Sequence, residues 1–140
     1  MTEYRFNFEL EPQQQERPRA TRRGNFIRMY DPPKTARFKN DLKKLAKLKM
    51  AGKDKLEGPL KVDLTFGRAV QKSISGKERL RRLTGVHRPT VKPDLDNYIK
   101  STLDALNGVI WHDDAQIVRL TADKIYSENP GISVVVKDCL

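Results

Sequence analysis

Carboxylates are concentrated in one stretch of this 140-residue sequence, residues 92–116, where four of the five aspartates come in two pairs. The paired aspartates are Asp94, Asp96, Asp113 and Asp114. Lys100 is the one basic residue between the two pairs. A site built from carboxylate oxygens, with no cysteine among its ligands, favours the hard cations Mg²⁺ or Mn²⁺ over zinc. Such ions bridge a scissile phosphate and lower the pKa of a bound water, so the stretch suggests the site of a metal-dependent nuclease.

Whether the first pair can share a metal depends on where the helix after Pro93 begins. Residues two apart on a regular helix point about 200° apart. Asp94 and Asp96 can therefore face one ion only if Asp94 lies in extended or capping backbone and the helix starts near Asp96. Lys100 follows Asp96 by one helical turn and shares its face. There it would neutralise transition-state charge or position the water. Of the adjacent Asp113 and Asp114, only one needs to point inward.

A purely structural role explains the same aspartates. Asp94 and Asp96 are good N-cap and first-turn residues, and Asp113 and Asp114 are common turn residues. From spacing alone, capping is the more frequent explanation. His112 is a candidate base or ligand, or else a surface turn residue. Trp111 fits either the core or a wedge against DNA.

Charge is distributed unevenly along the sequence. Residues 1–92 carry 24 Lys and Arg against 10 Asp and Glu, whereas residues 93–140 carry four against eight. The whole chain has a formal net charge of +10. A basic body attracts a polyanion, and local carboxylates can hold the cation that neutralises the reacting phosphate. An excess of Lys and Arg over Asp and Glu indicates only that the protein binds nucleic acid.

Two basic segments, residues 12–30 and 68–92, are predicted to be long flexible loops that contact DNA. Proline and glycine interrupt the first, and apolar residues are sparse and aperiodic in the second. Guanidinium groups grip phosphate with two donors. The alternative is a pair of solvated, mobile loops. The candidate DNA-binding residues are Arg17, Arg19, Arg22, Arg23, Arg28, Arg79, Arg81 and Arg82.

The first half of the chain contains a strand, a helix and a second strand. Apolar residues alternate with polar ones over residues 4–10 and again over 60–66, which is typical of half-buried strands. Asp31-Pro32-Pro33 predicts a helix start with Asp31 as the N-cap, and the helix runs to about Met50. Its apolar stripe is opposed by a cationic face that includes Lys39.

A second helix and two further strands follow. An apolar stripe from Leu95 to Leu106 predicts the helix, and Asn107-Gly108 closes it. Residues 116–126 and 132–136 predict an antiparallel hairpin. The order β-α-β-α-β-β favours an α+β fold with two main helices on a four-stranded mixed sheet. We expect one domain over residues 1–140.

Several classes of protein do not fit the sequence. Cys139 is the single cysteine, so no disulfide framework is possible. Apolar runs are too short to span a membrane, and the N-terminal residues lack a signal-peptide core. We therefore expect a cytoplasmic protein without membrane association.

The acidic stretch resembles the RusA family of Holliday junction resolvases. The shared residues are Lys92-Pro93-Asp94-Leu95-Asp96-Asn97, Lys100, Leu103 to Gly108, and Trp111 to Gln116. Arg17-Pro18-Arg19 and Gly24 through Thr35 resemble, more weakly, the arginine loop of phage and prophage relatives. The remainder of the N-terminal half shows no residue-by-residue match.

The resemblance implies a homodimeric, Mg²⁺-dependent endonuclease that nicks four-way DNA junctions symmetrically, with Mn²⁺ as a substitute ion. Matching the motif, Asp94, Asp96 and Asp114 fall on the metal-binding acids and Lys100 on the essential lysine, with Asp113 as a further candidate ligand. It also implies a role in DNA recombination and repair, and a bacterial or phage origin. Two alternatives stay open: a nuclease of broader branched-DNA selectivity, and a non-catalytic nucleic-acid-binding module.

Overall fold

The computed structural model describes residues 1–139, which form six strands, three α-helices and one short 3₁₀ turn. In chain order they are β1 (Glu3–Phe8), β2 (Arg19–Arg23), β3 (Phe26–Tyr30), α1 (Pro33–Lys49), β4 (Leu60–Ala69), α2 (Gly76–Leu83), α3 (Leu95–Leu106), the 3₁₀ turn (Asp114–Gln116), β5 (Ile117–Ser127) and β6 (Gly131–Asp138).

The main sheet has four strands in the order β1-β6-β4-β5. β4 and β5 are parallel, whereas β6 runs antiparallel to both of its neighbours, β1 and β4. The α+β class and the four-stranded mixed sheet predicted from the sequence are confirmed.

One face of the sheet is packed against α1 and α3. Leu60, Val62, Leu64 and Phe66 on β4 are almost fully buried, while the residues between them are more exposed. β6 alternates in the same way. Phe38, Leu42 and Ala46 of α1, with Tyr98, Ala105 and Leu106 of α3, complete the core. Each large side chain fully buried in this way stabilises the fold by roughly 1.5–3 kcal/mol. The packing fixes α3, and with it the acidic residues at its start.

The predicted β5–β6 hairpin is wrong, because β4 lies between these two strands in the sheet. Residues 128–130 instead carry the chain past the end of β4. A β-carbon at Gly67 would lie 3.1 Å from the Ser127 β-carbon, so a bare backbone suits this crossing. A short turn signal predicts that two strands are close in sequence, but it does not determine whether a third strand separates them.

Both segments predicted as loops contain regular structure. Residues 19–30 form a separate two-stranded sheet, β2–β3, and residues 76–83 form α2. Residues 13–16 are also anchored: the Ser101 hydroxyl donates to the Gln13 carbonyl at 2.6 Å, and the Gln15 amide donates to the Asn97 carbonyl at 2.9 Å.

The helices largely occupy their predicted positions. α1 ends close to Met50 as expected, but its N-cap is Pro32 rather than Asp31, whose carboxylate accepts hydrogen bonds from Gln15 and Lys39 instead. α3 ends at Asn107, followed by Gly108 with φ of 77°. Among the described residues, no helix has both the length and the apolar character that crossing a membrane requires.

Gly131→Ala is expected to lower the free energy of unfolding by roughly 1–3 kcal/mol, the usual cost of overpacking. A β-carbon at Gly131 would lie 2.8 Å from the Phe8 carbonyl oxygen, and a backbone atom held in the sheet cannot move aside cheaply. The matched control is Gly76→Ala at the start of α2, where a β-carbon meets nothing within 4 Å. Urea denaturation of both variants measures the difference, and equal stabilities would contradict the packing argument.

Candidate active site

The start of α3 has the backbone geometry that a shared metal site requires. Asp94 is the N-cap residue in extended conformation (φ −66°, ψ 147°), and Asp96 lies in the first turn. The Asp94 carboxylate makes no capping hydrogen bond, so it is free to act as a ligand. Lys124 donates to the Val91 and Pro93 carbonyls, both at 2.9 Å, and thereby holds the segment that leads into the helix.

Lys100 and Asp104 continue the same side of α3. The Lys100 ammonium lies 3.6 Å from the Asp104 carboxylate, one turn farther along, and its side chain is well exposed. Asp104 also accepts a hydrogen bond from Lys39 of α1 at 3.1 Å, and Lys39 donates to Asp31 at 2.9 Å. This network of Asp31, Lys39, Asp104 and Lys100 ties α1 to α3 beside the candidate site.

Asp114 is the member of the second pair that points inward. Its carboxylate accepts a hydrogen bond from the indole N–H of the buried Trp111 at 2.7 Å, and its backbone N–H donates to the Asn107 side chain at 3.0 Å. Burial raises the pKa of the Asp114 carboxyl above its ordinary value. The neighbouring Asp104 and Asp113 also raise this pKa, whereas the Trp111 hydrogen bond and Lys100 lower it. The charges of Asp104 and Lys100 therefore act at Asp114.

Asp113, in contrast, caps the 3₁₀ turn. Its carboxylate accepts a hydrogen bond from the Ala115 amide at 3.1 Å, and the Gln116 side chain accepts from the Asp113 amide at 3.0 Å. His112 lies on the surface, 2.7 Å from the Glu57 carboxylate. Trp111 belongs to the core, so the alternative of a DNA wedge is wrong for this residue. These contacts assign the turn residues structural roles and leave Asp114 as the candidate ligand.

The carboxylates have the chemistry of a divalent-metal site but are not yet gathered around one point. Within residues 1–139, no three His, Cys, Asp or Glu side chains stand close enough together to hold a metal ion. Asp94 and Asp96 are both exposed, so their side chains can rotate without breaking the core. The all-oxygen donor set suits a hard cation such as Mg²⁺ or Mn²⁺.

The candidate DNA-binding arginines fall into two groups. Arg17 and the arginines on β2 and β3 are exposed, and within residues 1–139 they form no ion pair with an acidic side chain. The α2 arginines are partly engaged by the protein itself. Arg82 pairs with Glu78 at 3.0 Å and lies over the Tyr126 ring, while Arg79 lies 3.7 Å from Glu128. The β2–β3 hairpin is therefore the freer cationic surface.

Two residues of the site were missed from the sequence. Asp104 stands one turn beyond Lys100, so the spacing of Asp96, Lys100 and Asp104 was a helical signal that could have revealed it. Lys39 was assigned to the cationic face of α1, whereas its side chain is only 19% exposed and lies between two carboxylates. That contact joins residues distant in sequence, and no local pattern predicts it.

Comparison with known proteins identifies the class of this molecule as a DNA endonuclease. The family model described as endodeoxyribonuclease RusA matches residues 9–137, and the chain belongs to this family. The family consists of nucleases that act on branched DNA and generally need a divalent metal ion. The resemblance noted for the acidic stretch is confirmed at the level of the family.

A curated bacterial relative supports the match over most of the chain. The protein is 38% identical over 130 residues to "Uncharacterized protein YqaN" of Bacillus subtilis (strain 168), and the alignment covers 91% of each chain. The similarity therefore extends beyond the acidic stretch to the N-terminal half that the sequence motif left unplaced.

Asp114→Asn is expected to increase the free energy of unfolding near neutral pH in metal-free buffer. The pKa of Asp114 is raised in the folded state, so ionisation of this carboxyl destabilises the fold. The stability present while the carboxyl is protonated is lost as pH rises from the ordinary carboxyl pKa through the raised one. Asparagine carries no charge and still offers an oxygen to the Trp111 indole. Below the ordinary carboxyl pKa, where both states are protonated, the gain should disappear.

Urea denaturation at about pH 7 and at about pH 3 measures this difference across the titration of a carboxyl group. Asp41→Asn, on the exposed side of α1, is the control for removal of one negative charge. A loss of stability at neutral pH in Asp114→Asn alone would contradict the assignment of burial as the dominant cause.

Proposed function

We propose that the protein is a Mg²⁺-dependent endonuclease that resolves four-way DNA junctions by paired, symmetric nicks in recombination and repair. The observation that carries the proposal is that Asp94, Asp96 and Lys100 lie within the first two turns of α3 and that the Lys100 charge acts at the inward-pointing Asp114, in a chain of the RusA family. The all-carboxylate donor set supports a hard divalent cation, for which we propose Mg²⁺, with Mn²⁺ as a substitute.

Asp94, Asp96 and Asp114 would hold the metal ion. When bound, Mg²⁺ would lower the pKa of a water and neutralise charge at the scissile phosphate. The indole N–H of Trp111 fixes one oxygen of Asp114, which restricts the direction in which the other can point. Because burial disfavours the ionised form of Asp114, a nearby cation would be more strongly favoured there than beside a fully hydrated carboxylate.

Lys100 is proposed to neutralise the charge that develops on the reacting phosphate in the transition state, or to position the attacking water. Its exposed ammonium can reach a bound backbone. Asp104 lies within 3.6 Å of that ammonium and is itself held by Lys39, so it limits the positions that Lys100 can adopt. Asp104 is thus a positioning residue, acting through Lys100.

Paired cuts require two active sites related by the symmetry of the junction. A homodimer with a two-fold axis would supply one site for each of two strands. The net charge of +10 supports binding to the polyanionic arms. We propose that the exposed arginines of β2 and β3 contribute most to this binding, because they are not neutralised by neighbouring acids in the described part of the chain.

One observation favours a second candidate, a non-catalytic module that binds branched DNA. The carboxylates are not gathered into a three-ligand group within residues 1–139, and Asp113 serves as a cap. On this alternative Asp94 and Asp96 merely stabilise the positive end of the α3 dipole. The two functions differ in whether DNA strands are cut.

The decisive assay compares an end-labelled synthetic four-way junction with the matching linear duplex, each with Mg²⁺ and with EDTA. We expect paired nicks in the junction alone, only with Mg²⁺, and none with Asp94→Asn because one ligand charge is lost. Asp41→Asn, on the exposed side of α1, is the control with the same chemical change outside the candidate acids and should cut normally. Binding without nicks would establish the non-catalytic module, and nicks in both DNAs would remove the junction selectivity.

Lys100→Ala is expected to reduce junction cleavage by about 10²-fold or more, the scale of losing one preorganised transition-state contact. Junction affinity should be largely retained, since many other cations attract the DNA. Lys47→Ala, which removes one exposed α1 lysine, serves as the charge control. Single-turnover cleavage and equilibrium binding separate the two effects. A parallel collapse of binding would show that Lys100 is a phosphate anchor instead.

A further inference from the structure

The β2–β3 hairpin is an arm whose apolar side chains are not covered by the rest of the protein. All ten residues of its strands are exposed, and its strands pair only with each other, not with the main sheet. Phe26 is 79% exposed and Ile27 is 71% exposed. An isolated two-stranded hairpin is at best marginally stable in water. The arm therefore has the composition of a binding element.

The register gives the arm two chemically different faces. Residues directly opposed across an antiparallel pair share a face, and successive residues alternate between faces. Arg23 is opposite Phe26, Thr21 is opposite Arg28, and Arg19 is opposite Tyr30. One face thus carries three arginines and two aromatic rings: Arg19, Arg23, Phe26, Arg28 and Tyr30. We name this the aromatic–arginine face. The other face carries Ala20, Ile27 and Met29, with Arg22.

The aromatic–arginine face matches nucleic acid more closely than it matches protein. Residues 17–30 contain no Asp or Glu, so a second copy of this basic chain would be repelled by it. Guanidinium groups bind phosphates, and aromatic rings stack on bases of any sequence. Within a continuous duplex the faces of the bases are already covered by stacking. At a branch point the arms can separate, which leaves the faces of the base pairs there uncovered.

The segments that precede β2 and follow β3 are bound to residues beside the candidate active site. Ahead of β2, the Gln15 amide donates to the carbonyl of Asn97, which lies in the first turn of α3 beside Asp96. After β3, Asp31 is bound to Lys39, which also holds Asp104. Both ends of the arm are thus attached to α3 or to residues that contact it. DNA bound to the arm would therefore lie close to the helix that carries Lys100.

We infer that the arm recognises the branch point itself, with Phe26 stacking on a base pair left uncovered there and the flanking arginines binding the adjoining phosphates. The inference rests on the proposed function, since it takes branched DNA as the substrate. It assigns to Phe26 the preference for branched over linear DNA, which the acidic site alone does not explain.

The test measures binding to a four-way junction and to the matching duplex, with Mg²⁺ present and Asp94→Asn as the parent protein so that strands stay intact. Phe26→Ala should weaken junction binding by at least about fivefold, the effect of one lost base–aromatic stack. Duplex binding should be nearly unchanged. Phe26→Trp should restore the junction preference and Phe26→Leu should not, because only a ring can stack.

Leu48→Ala is the matched control. Leu48 is 74% exposed on α1, so the substitution removes a comparable apolar surface away from the arm. If Phe26→Ala behaves like Leu48→Ala, or weakens both DNAs equally, the inference is overturned. Sedimentation of the protein without DNA tests whether the arm instead joins two copies of the protein. If Phe26→Ala dissociates a dimer, the arm is a protein–protein contact and the inference is overturned.

Cleavage by the wild-type protein and by Phe26→Ala in the wild-type background, assayed in parallel, separates this inference from the proposed function. A junction preference that depends on Phe26 without any strand scission would support the arm and reject the nuclease. Scission of junctions that is indifferent to Phe26 would support the nuclease and reject the arm.

Discussion

The ammonium of Lys39 joins the parts of the molecule to which the proposed function is assigned. It lies 2.9 Å from Asp31, where the arm rejoins the fold, and 3.1 Å from Asp104 on α3. Its side chain is only 19% exposed, so its charge is poorly hydrated and needs both carboxylates as partners. Conversely, without Lys39 the negative charges of Asp31 and Asp104 would repel each other at the contact between α1 and α3. Asp104 is also the acid nearest to the Lys100 ammonium, at 3.6 Å.

Local patterns predicted the elements that build the core, and they failed for the arm and for α2, which bury no residue. Alternation located β1, β4 and β6 because one face of each strand is covered. The arm has no covered face, so β2 and β3 show no alternation, and its Gly24-Asn25 turn reverses the order of the strongest hairpin signal. α2 buries no residue, so it has no apolar stripe. Its Ser75 and Glu78 do, however, form the start signal S-x-x-E, and Ser75 accepts a hydrogen bond from the Glu78 amide.

The candidate site divides along similar lines. Asp94, Asp96 and Lys100 could be identified because helical geometry relates residues close in sequence, and Pro93 indicated where the helix begins. Between Asp113 and Asp114, spacing left the choice open and the resemblance pointed to Asp114. The contacts favour the same residue, since Asp113 caps an amide and Asp114 lies beside the buried indole. Pairing of β5 with β4 rather than with β6, and the contacts of Lys39, are long-range features. Each depends on chain segments whose approach is decided by the packing of the whole domain.

The strand order also constrains how the sheet can be assembled during synthesis. β1, near the N-terminus, has β6 as its one partner in the main sheet, and β6 is the last strand along the chain. It inserts between β1 and β4, so the sheet remains in two separate parts until residues 131–138 have left the ribosome. Contacts between such distant segments form slowly, because a long loop must close before any of them is gained. A nascent chain paused before β6 would therefore expose the apolar side of β1 and an unpaired edge of β4, where a chaperone could bind.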